Sequence, residues 1–384
     1  MHLIAGVVTS IIILSMCITG GFMSLELPVT KWSDSKLIDP ATITQQTPSI
    51  EALASAYEKD GNAQPQSITI AREPTELAVV NIARKKQTWL NPHTGESLGD
   101  KPKEIRDLFH AVMGFHRWFS LEGAGRDVGK VITGTVALTF VLITLTGILI
   151  WLPRKWRWKA VRQVIWFRRG LKGKARDFNW HNVLGIWFVI PLCFIAFTGA
   201  AISYKWLNQA TVVLAGGEAP KQNKGKRPPA PKQAPEKDDS VKEIEPWAAH
   251  LVGADSAVAL VTQDMPDWSY VDVSTPKTAT EPLKITVKEG NGRQVQLHVD
   301  YEVSREPLKI TSKSDWFGAS RSQQVRGLIR FGHTGEVAGG LGTILSLLAA
   351  LAGAVLSVTG LMLSWRRFTR WKAKQDKLKQ KATS

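Results

Sequence analysis

The sequence predicts a membrane protein with four transmembrane α-helices and two exterior α+β domains, internally repeated. Two observations lead to this fold class: four long apolar runs that contain no charged residue, and a concentration of Lys and Arg after the second and fourth runs. Each run is long enough for a hydrocarbon core of roughly 30 Å, which takes about 20 helical residues. The runs cover residues 3–25, 131–152, 182–204 and 337–364.

The distribution of charge predicts how the chain is oriented. Residues 153–180 carry ten Lys or Arg against one acid, and residues 365–384 carry eight against one. These two segments account for the whole formal net charge of +16, so the remainder of the chain is balanced. Because short Lys/Arg-rich segments stay in the cytoplasm, both termini are expected inside. The positive charge thus reflects topology, which makes membrane lipid an expected partner and nucleic acid an unexpected one.

These features divide the chain into nine predicted segments. The first run has no basic segment before it and no small-x-small cleavage site, so we expect an uncleaved span rather than a signal peptide. The predicted order is a span at 2–25, an exterior domain at 26–127 ending in an interfacial helix, a span at 128–152, a basic cytoplasmic loop at 153–180, a span at 181–206, a Pro- and Lys-rich linker at 207–240, a second exterior domain at 241–336, a span at 337–364 and a basic cytoplasmic tail at 365–384.

Histidines adjoin one end of every run. His2 and His181 open the first and third runs, whereas His116 and His333 precede the second and fourth. If the chain crosses back and forth, one pair lies at each membrane face. Paired imidazoles at two depths suit a transmembrane haem relay. The two cysteines form no Cys-x-x-Cys-His motif, so two such haems would be non-covalent and b-type.

The histidine positions recur with the span pattern. His2 and His181 each precede a Thr-Gly pair by 17 residues, and the second and fourth spans also end in Thr-Gly followed by Trp and basic residues. Gly6 and Gly185 follow these histidines by one helical turn, where the missing side chain would let a porphyrin plane approach. The alternative is that these are interfacial histidines beside small residues that pack helices together.

His110 competes with His116 for the outer pair. The pattern predicts a surface helix over residues 104–119, with an apolar stripe that includes Val112 and Phe119. His116 falls on this stripe, and His110 falls nearly opposite, where water satisfies an imidazole. We therefore expect His116 to be the ligand and keep His110 as the weaker candidate.

Both exterior segments have the pattern of α+β units. In the first, Ser49 is expected to cap a helix. In the second, Asn291-Gly292 is typical of a hairpin turn. The predicted helices are 50–57 and 241–251, and the predicted strands are 67–71, 77–82, 87–90, 268–273, 283–288 and 295–301.

Several motifs resemble those of the PepSY-associated transmembrane family. They are the His-x-x-x-Gly…Thr-Gly spans and the segments Phe-His-Arg-Trp at 115–118, Thr-Gly-Ile-Leu-Ile-Trp-Leu-Pro-Arg at 146–154 and Gly-His-Thr-Gly-Glu at 332–336. Residues 91–99, Asn-Pro-His-Thr-Gly-Glu-Ser-Leu-Gly, are similar to a turn of PepSY domains. The resemblance extends over nearly the whole chain and is most specific in the spans.

The resemblance implies a function as well as a fold. Members include bacterial inner-membrane ferric-siderophore reductases that use haem b, which implies His2, His116, His181 and His333 as axial ligands and a periplasmic ferric siderophore as acceptor. No Gly-rich dinucleotide motif is present, so electrons are expected from quinol or a separate flavoprotein. PepSY domains also regulate peptidases, and the alternative function is therefore a haem-free binding or assembly module that regulates a periplasmic protein or peptidase.

Overall fold

The structure is a computed structural model that describes residues 2–83, 86–152, 157–218 and 246–383. The chain forms two compact units. The helical unit comprises Met1–Pro28, Arg106–Asn208 and Arg326–Ser384, and the sheet unit comprises Val29–Ile105 and Gln209–Val325.

The helices include four that are long and apolar enough to cross a membrane: His2–Ser35, Gly125–Trp151, Gly173–Ser203 and Glu336–Asp376. This finding agrees with the four predicted spans. The α-helices are α1 His2–Met23, α2 Glu26–Ser35, α3 Ile50–Lys59, α4 Lys103–Trp118, α5 Gly125–Trp151, α6 Trp158–Ile165, α7 Gly173–Ser203, α8 Lys205–Leu214, α9 Ala254–Asp264, α10 Arg321–Thr334 and α11 Gly339–Thr383.

The four long helices of the helical unit pack so that each contacts two others. Helix α1 packs on α5 and α11, and α7 packs on the same two helices. Small residues allow the close approach of α1 and α11: a Cβ added at Gly21 would lie 3.4 Å from Ala350 Cβ, and one added at Gly353 would lie 2.6 Å from Cys17 Sγ. Such packing is typical of helices in lipid, where burial of apolar surface does not drive association.

The sheet unit contains one antiparallel sheet in the order β4-β3-β2-β1-β5-β6-β7-β8. At its centre β1 pairs with β5, with Ser67 opposite Ser274 and Ala71 opposite Tyr270. The strands are β1 Ser67–Ala71, β2 Ala78–Ala83, β3 Lys86–Leu90, β4 Ser97–Gly99, β5 Trp268–Ser274, β6 Leu283–Glu289, β7 His298–Arg305 and β8 Leu308–Asp315.

One hydrophobic core serves both halves of this sheet. Ile68 and Ile70 of β1 are fully buried in the same cluster as Val271 and Val273 of β5. Helices α3 and α9 supply buried residues to that cluster, and Asp255 at the start of α9 accepts a hydrogen bond from Ile50 N of α3 at 2.7 Å. The prediction of two separate α+β domains is therefore corrected to one unit, because their strands form a single eight-stranded sheet.

Three local predictions differ from the structure. The predicted linker at 207–240 begins inside α8, which is amphipathic and buries Val212 completely; residues 219–245 lie outside the described residues. Of the predicted helix 241–251, the described part contains a short 3-10 helix at Trp247–Leu251. The strand predicted at 295–301 begins at His298, after a 3-10 turn at Val295–Leu297.

Candidate functional site at the paired histidines

All four predicted histidines lie in the helical unit and are partly buried. His2 begins α1, His116 lies two residues before the end of α4, and His333 lies one residue before the end of α10. His181 differs from its predicted place at the start of the third span, because α7 already begins at Gly173.

Each histidine bonds through Nδ1 to a threonine hydroxyl on a different long helix. Those threonines are the first residues of the four Thr-Gly pairs. The Nδ1–Oγ1 distances are 3.2 Å for His2–Thr146, 2.8 Å for His116–Thr19, 3.0 Å for His181–Thr359 and 3.2 Å for His333–Thr198. The same contact is thus made four times, between α1 and α5, α4 and α1, α7 and α11, and α10 and α7.

The direction of these hydrogen bonds follows from the threonine itself. Each hydroxyl has one proton, and each Oγ1 lies 2.7–2.8 Å from the carbonyl oxygen four residues earlier in its own helix. With the proton donated there, Oγ1 accepts from the histidine, and Nδ1 is the donor. Two backbone carbonyls require the same direction, because a carbonyl oxygen only accepts. Ile143 O lies 3.1 Å from His2 Nδ1, and Ile195 O lies 2.9 Å from His333 Nδ1.

This hydrogen bonding fixes the chemistry of the free ring nitrogen. An imidazole protonated at Nδ1 has its lone pair at Nε2, and a metal-bound histidine is usually held in this way by an acceptor at its other nitrogen. Among the described residues the hydrogen bonds of all four rings are made at Nδ1, which leaves Nε2 as the ligand atom.

The glycine after each threonine makes room for the imidazole. An added Cβ would meet the Cε1 atom of the ring that the preceding threonine binds. The distances are 3.3 Å for Gly20–His116, 3.4 Å for Gly147–His2, 2.9 Å for Gly199–His333 and 3.4 Å for Gly360–His181. The Thr-Gly pair therefore acts as a two-residue clamp, with threonine binding the ring and glycine admitting it.

The clamped histidines come together in two pairs. The ring centroids of His116 and His333 are 6.4 Å apart, with 58° between the ring planes. This separation would leave room for one metal held by both rings, since metal–imidazole bonds are about 2.0 Å long. His2 and His181 are the predicted second pair, and each is held by its own threonine clamp.

The surroundings of the His116/His333 pair favour the neutral imidazole. Burial among apolar residues lowers the pKa of both His116 and His333. A histidine must be neutral to bind a metal, so the environment favours the form that ligation needs.

Two imidazoles do not complete a metal site by themselves. Within the described residues, His, Cys, Asp and Glu side chains form no group of three or more that could hold a metal ion. Haem would supply further ligands through its porphyrin nitrogens, with histidines such as these holding the iron. The residues present therefore fit haem, although ligation itself stays a prediction.

The weaker candidates of the sequence have distinct surroundings. A Cβ added at Gly6 would have no atom within 4 Å, and one added at Gly185 would meet only Leu356 Cδ2, at 3.9 Å. Open space of this kind, one helical turn from His2 and His181, is compatible with a flat cofactor. His110 is exposed on α4, whereas His116 bonds to Thr19, so α4 presents the two histidines to different surroundings.

Sequence reasoning missed the threonines as histidine partners. The Thr-Gly pairs are visible in all four runs, but they were interpreted only as marks of the internal repeat. The sequence did contain a signal for this contact. When the runs are threaded back and forth, each Thr-Gly pair lies at the same membrane face as a histidine of another run.

Comparison with known proteins identifies the family. No curated protein matches the chain. The family model described as PepSY-associated TM region matches residues 1–367. Because this match covers nearly the whole chain, the protein belongs to the PepSY-associated transmembrane family.

Proposed function

We propose that this protein is an inner-membrane electron carrier that holds two b-type haems and delivers electrons to a ferric siderophore outside the membrane. The observation that carries the proposal is the set of four clamped histidines, in which Nδ1 donates to a threonine and Nε2 remains for a metal. Bound haem would supply a one-electron couple, and reduction of the siderophore iron would release it because ferrous ion binds hard oxygen donors more weakly.

The chain's own residues supply position and tuning. His116 and His333 would hold the outer haem, and His2 and His181 the inner one. Each threonine orients its histidine and raises the basicity of the ligating nitrogen, as acceptors behind metal-bound histidines do.

The orientation in the membrane is part of the same proposal. The basic segments at 153–180 and 365–384 support cytoplasmic termini, with the His116/His333 pair at the outer face. Electrons would enter at the His2/His181 pair from quinol or a separate flavoprotein. The sheet unit would then lie on the side of the acceptor.

An absorption spectrum of the purified full-length chain tests the proposal. We expect a b-type reduced-minus-oxidised spectrum, which His116→Ala changes by removing one haem. His110→Ala is the matched control, since His110 lies on the same helix but is exposed. The reduced wild-type protein should reduce an added ferric chelate, and His116→Ala should block this step.

A different result would point to a different function. A flat spectrum from haem-replete cells contradicts electron transfer and favours the haem-free binding module. If His110→Ala removes the haem while His116→Ala retains it, the ligand assignment in α4 is wrong.

A further inference from the structure

Two arginines beside the outer histidine pair converge on one indole ring. The guanidinium carbons of Arg117 and Arg126 lie 5.1 Å and 4.0 Å from the centroid of Trp118. The backbone here is held on both sides: Thr133 Oγ1 donates to Arg117 O at 2.9 Å, and a Cβ added at Gly129 would collide with Trp118 O. The end of α4 and the start of α5 therefore place both guanidiniums on a fixed platform.

A third arginine approaches from the other histidine. Arg330 precedes His333 by three residues on α10, which places the two side chains on neighbouring positions of one helical face. Arg117 directly follows His116 in α4. The two histidine rings are 6.4 Å apart, so Arg117 and Arg330 belong to the two helices that supply this pair.

The positive charge of this cluster is not neutralised by the protein. Among the described residues, none of the three guanidiniums forms an ion pair with a carboxylate. Asp127, the acid next to Arg126, instead pairs with Lys130 at 2.9 Å. Elsewhere in the helical unit the opposite holds, because Asp177 pairs with Arg366 at 3.0 Å. Three exposed guanidiniums without a carboxylate partner, two of them on the Trp118 ring, favour binding of an anion.

We infer that Arg117, Arg126 and Arg330 form a carboxylate site that binds the propionate groups of the cofactor held by His116 and His333. This inference rests on the proposed function. A guanidinium binds a carboxylate through two parallel N–H donors. The propionate carboxylates of haem lie at one edge of the porphyrin, away from its apolar ring. The arginines lie beside the histidine pair, where such an edge would be. Lipid phosphate has similar chemistry, and the experiment below separates the two sources.

Binding of haem and haem dimethyl ester to the apoprotein tests the inference. The full-length chain carrying His181→Ala, which leaves only the outer pair intact, is prepared without haem in lipid nanodiscs and titrated with each compound. We expect haem to bind more tightly than its ester by about tenfold or more, the equivalent of one charge-assisted hydrogen bond. Replacing Arg117, Arg126 and Arg330 by Gln should abolish that preference and leave ester binding unchanged. Arg326→Gln, one turn from Arg330, is the matched control and should retain the preference.

The possible outcomes have separate meanings. If the triple variant still prefers haem over its ester, the carboxylate site is wrong while haem binding stands. If the preference persists and the triple variant instead retains less phosphatidylglycerol, the cluster binds lipid phosphate and the inference is overturned. If the His181→Ala chain with all three arginines intact binds neither compound, the proposed function itself fails. The single variants Arg117→Gln and Arg330→Gln, each expected to reduce the preference, provide the test if the triple variant does not fold.

Discussion

His116 and His333 lie with their ring centroids 6.4 Å apart, yet each is clamped by a different part of the chain. Thr19 of α1 binds His116, and Thr198 of α7 binds His333. Together with the clamps of His2 and His181, these contacts connect α1, α4 and α5 with one another and α7, α10 and α11 with one another. The His116/His333 pair joins one group of helices to the other. A ligand bound to both rings would join the two halves of the helical unit.

Removing one histidine from each pair should separate the two haems. His181→Ala is expected to remove the inner haem, and His333→Ala the outer one, because each leaves its partner without the opposite axial ligand. The haem-to-protein ratio, measured as the pyridine haemochromogen, should fall from two to one in each variant. Unchanged haem content in both variants would show that these histidines are not ligands.

Thr146→Val tests the hydroxyl that holds His2. Valine keeps the shape but removes the acceptor, which leaves Ile143 O as the remaining partner of Nδ1. Loss of such an outer partner typically costs 10–100-fold in metal affinity, so we expect the inner haem to dissociate about tenfold faster or more. Thr139→Val is the matched control, since that hydroxyl bonds only within its own helix. Equal dissociation rates in the two variants would contradict the clamp.

Gly199→Ala tests the space that admits His333. The new methyl group would lie 2.9 Å from His333 Cε1, closer than van der Waals contact allows, so the ring must move. We expect a changed low-temperature absorption and electron paramagnetic resonance signal of the outer haem, with partial haem loss. Gly147→Ala, at 3.4 Å from His2, should have a smaller effect on the inner haem.

Gly340→Ala provides the control for this pair of variants, because a Cβ there has no atom within 4 Å. If Gly199→Ala and Gly340→Ala have the same spectrum as the wild type, the glycine is not required for the histidine position.

The predicted orientation is tested by labelling cysteines introduced one at a time. A membrane-impermeant thiol reagent should label residues 60 and 230 in intact spheroplasts and spare residues 170 and 380 until the membrane is opened. The physical reason is the +16 charge carried by the segments 153–180 and 365–384. Labelling of residues 60 and 170 from the same side would contradict the arrangement of one histidine pair at each face.

The sheet unit should become less stable in acid through Asp264. Its carboxylate accepts hydrogen bonds from Lys313 Nζ at 2.6 Å and Tyr301 Oη at 2.7 Å, which lower the pKa of Asp264 in that order. The stabilisation is present above the unfolded pKa of about 3.9 and is lost as the pH falls through the lower folded pKa. Asp264→Asn should therefore lower the Tm of the sheet unit at pH 7 and have less effect near pH 3. Asp267→Asn, which removes no described hydrogen bond or ion pair, should leave the Tm unchanged at both pH values.

The elements that sequence patterns predicted best are those fixed by local periodicity. The uninterrupted apolar runs predicted the four long helices, and alternation predicted the strand at 67–71 with the bounds that the structure has. The apolar stripe of α4 separated His116 from His110, and the structure leaves His110 exposed. In each case the pattern that makes the prediction lies in the same helix or strand as the residues it predicts.

The features that were missed depend on contacts between distant segments. Ser67 pairs with Ser274, and neither strand carries a mark that selects the other, so one shared sheet was read as two domains. Strand β8 escaped prediction because most of its residues are polar and exposed. The bond of Thr19 to His116 spans 97 positions, and only the fold brings the two residues together.

The central pairing of β1 with β5 also has a consequence for biogenesis. Residues 29–105 leave the ribosome well before residues 209–325. Until then β1 has one unpaired edge, and Ile68 and Ile70 lack the part of their hydrophobic cluster that β5 and α9 supply. An open edge of this kind is prone to aggregation. The sheet unit therefore completes its native sheet only after the third long helix has been synthesised, and the first half exposes an open strand edge during that interval.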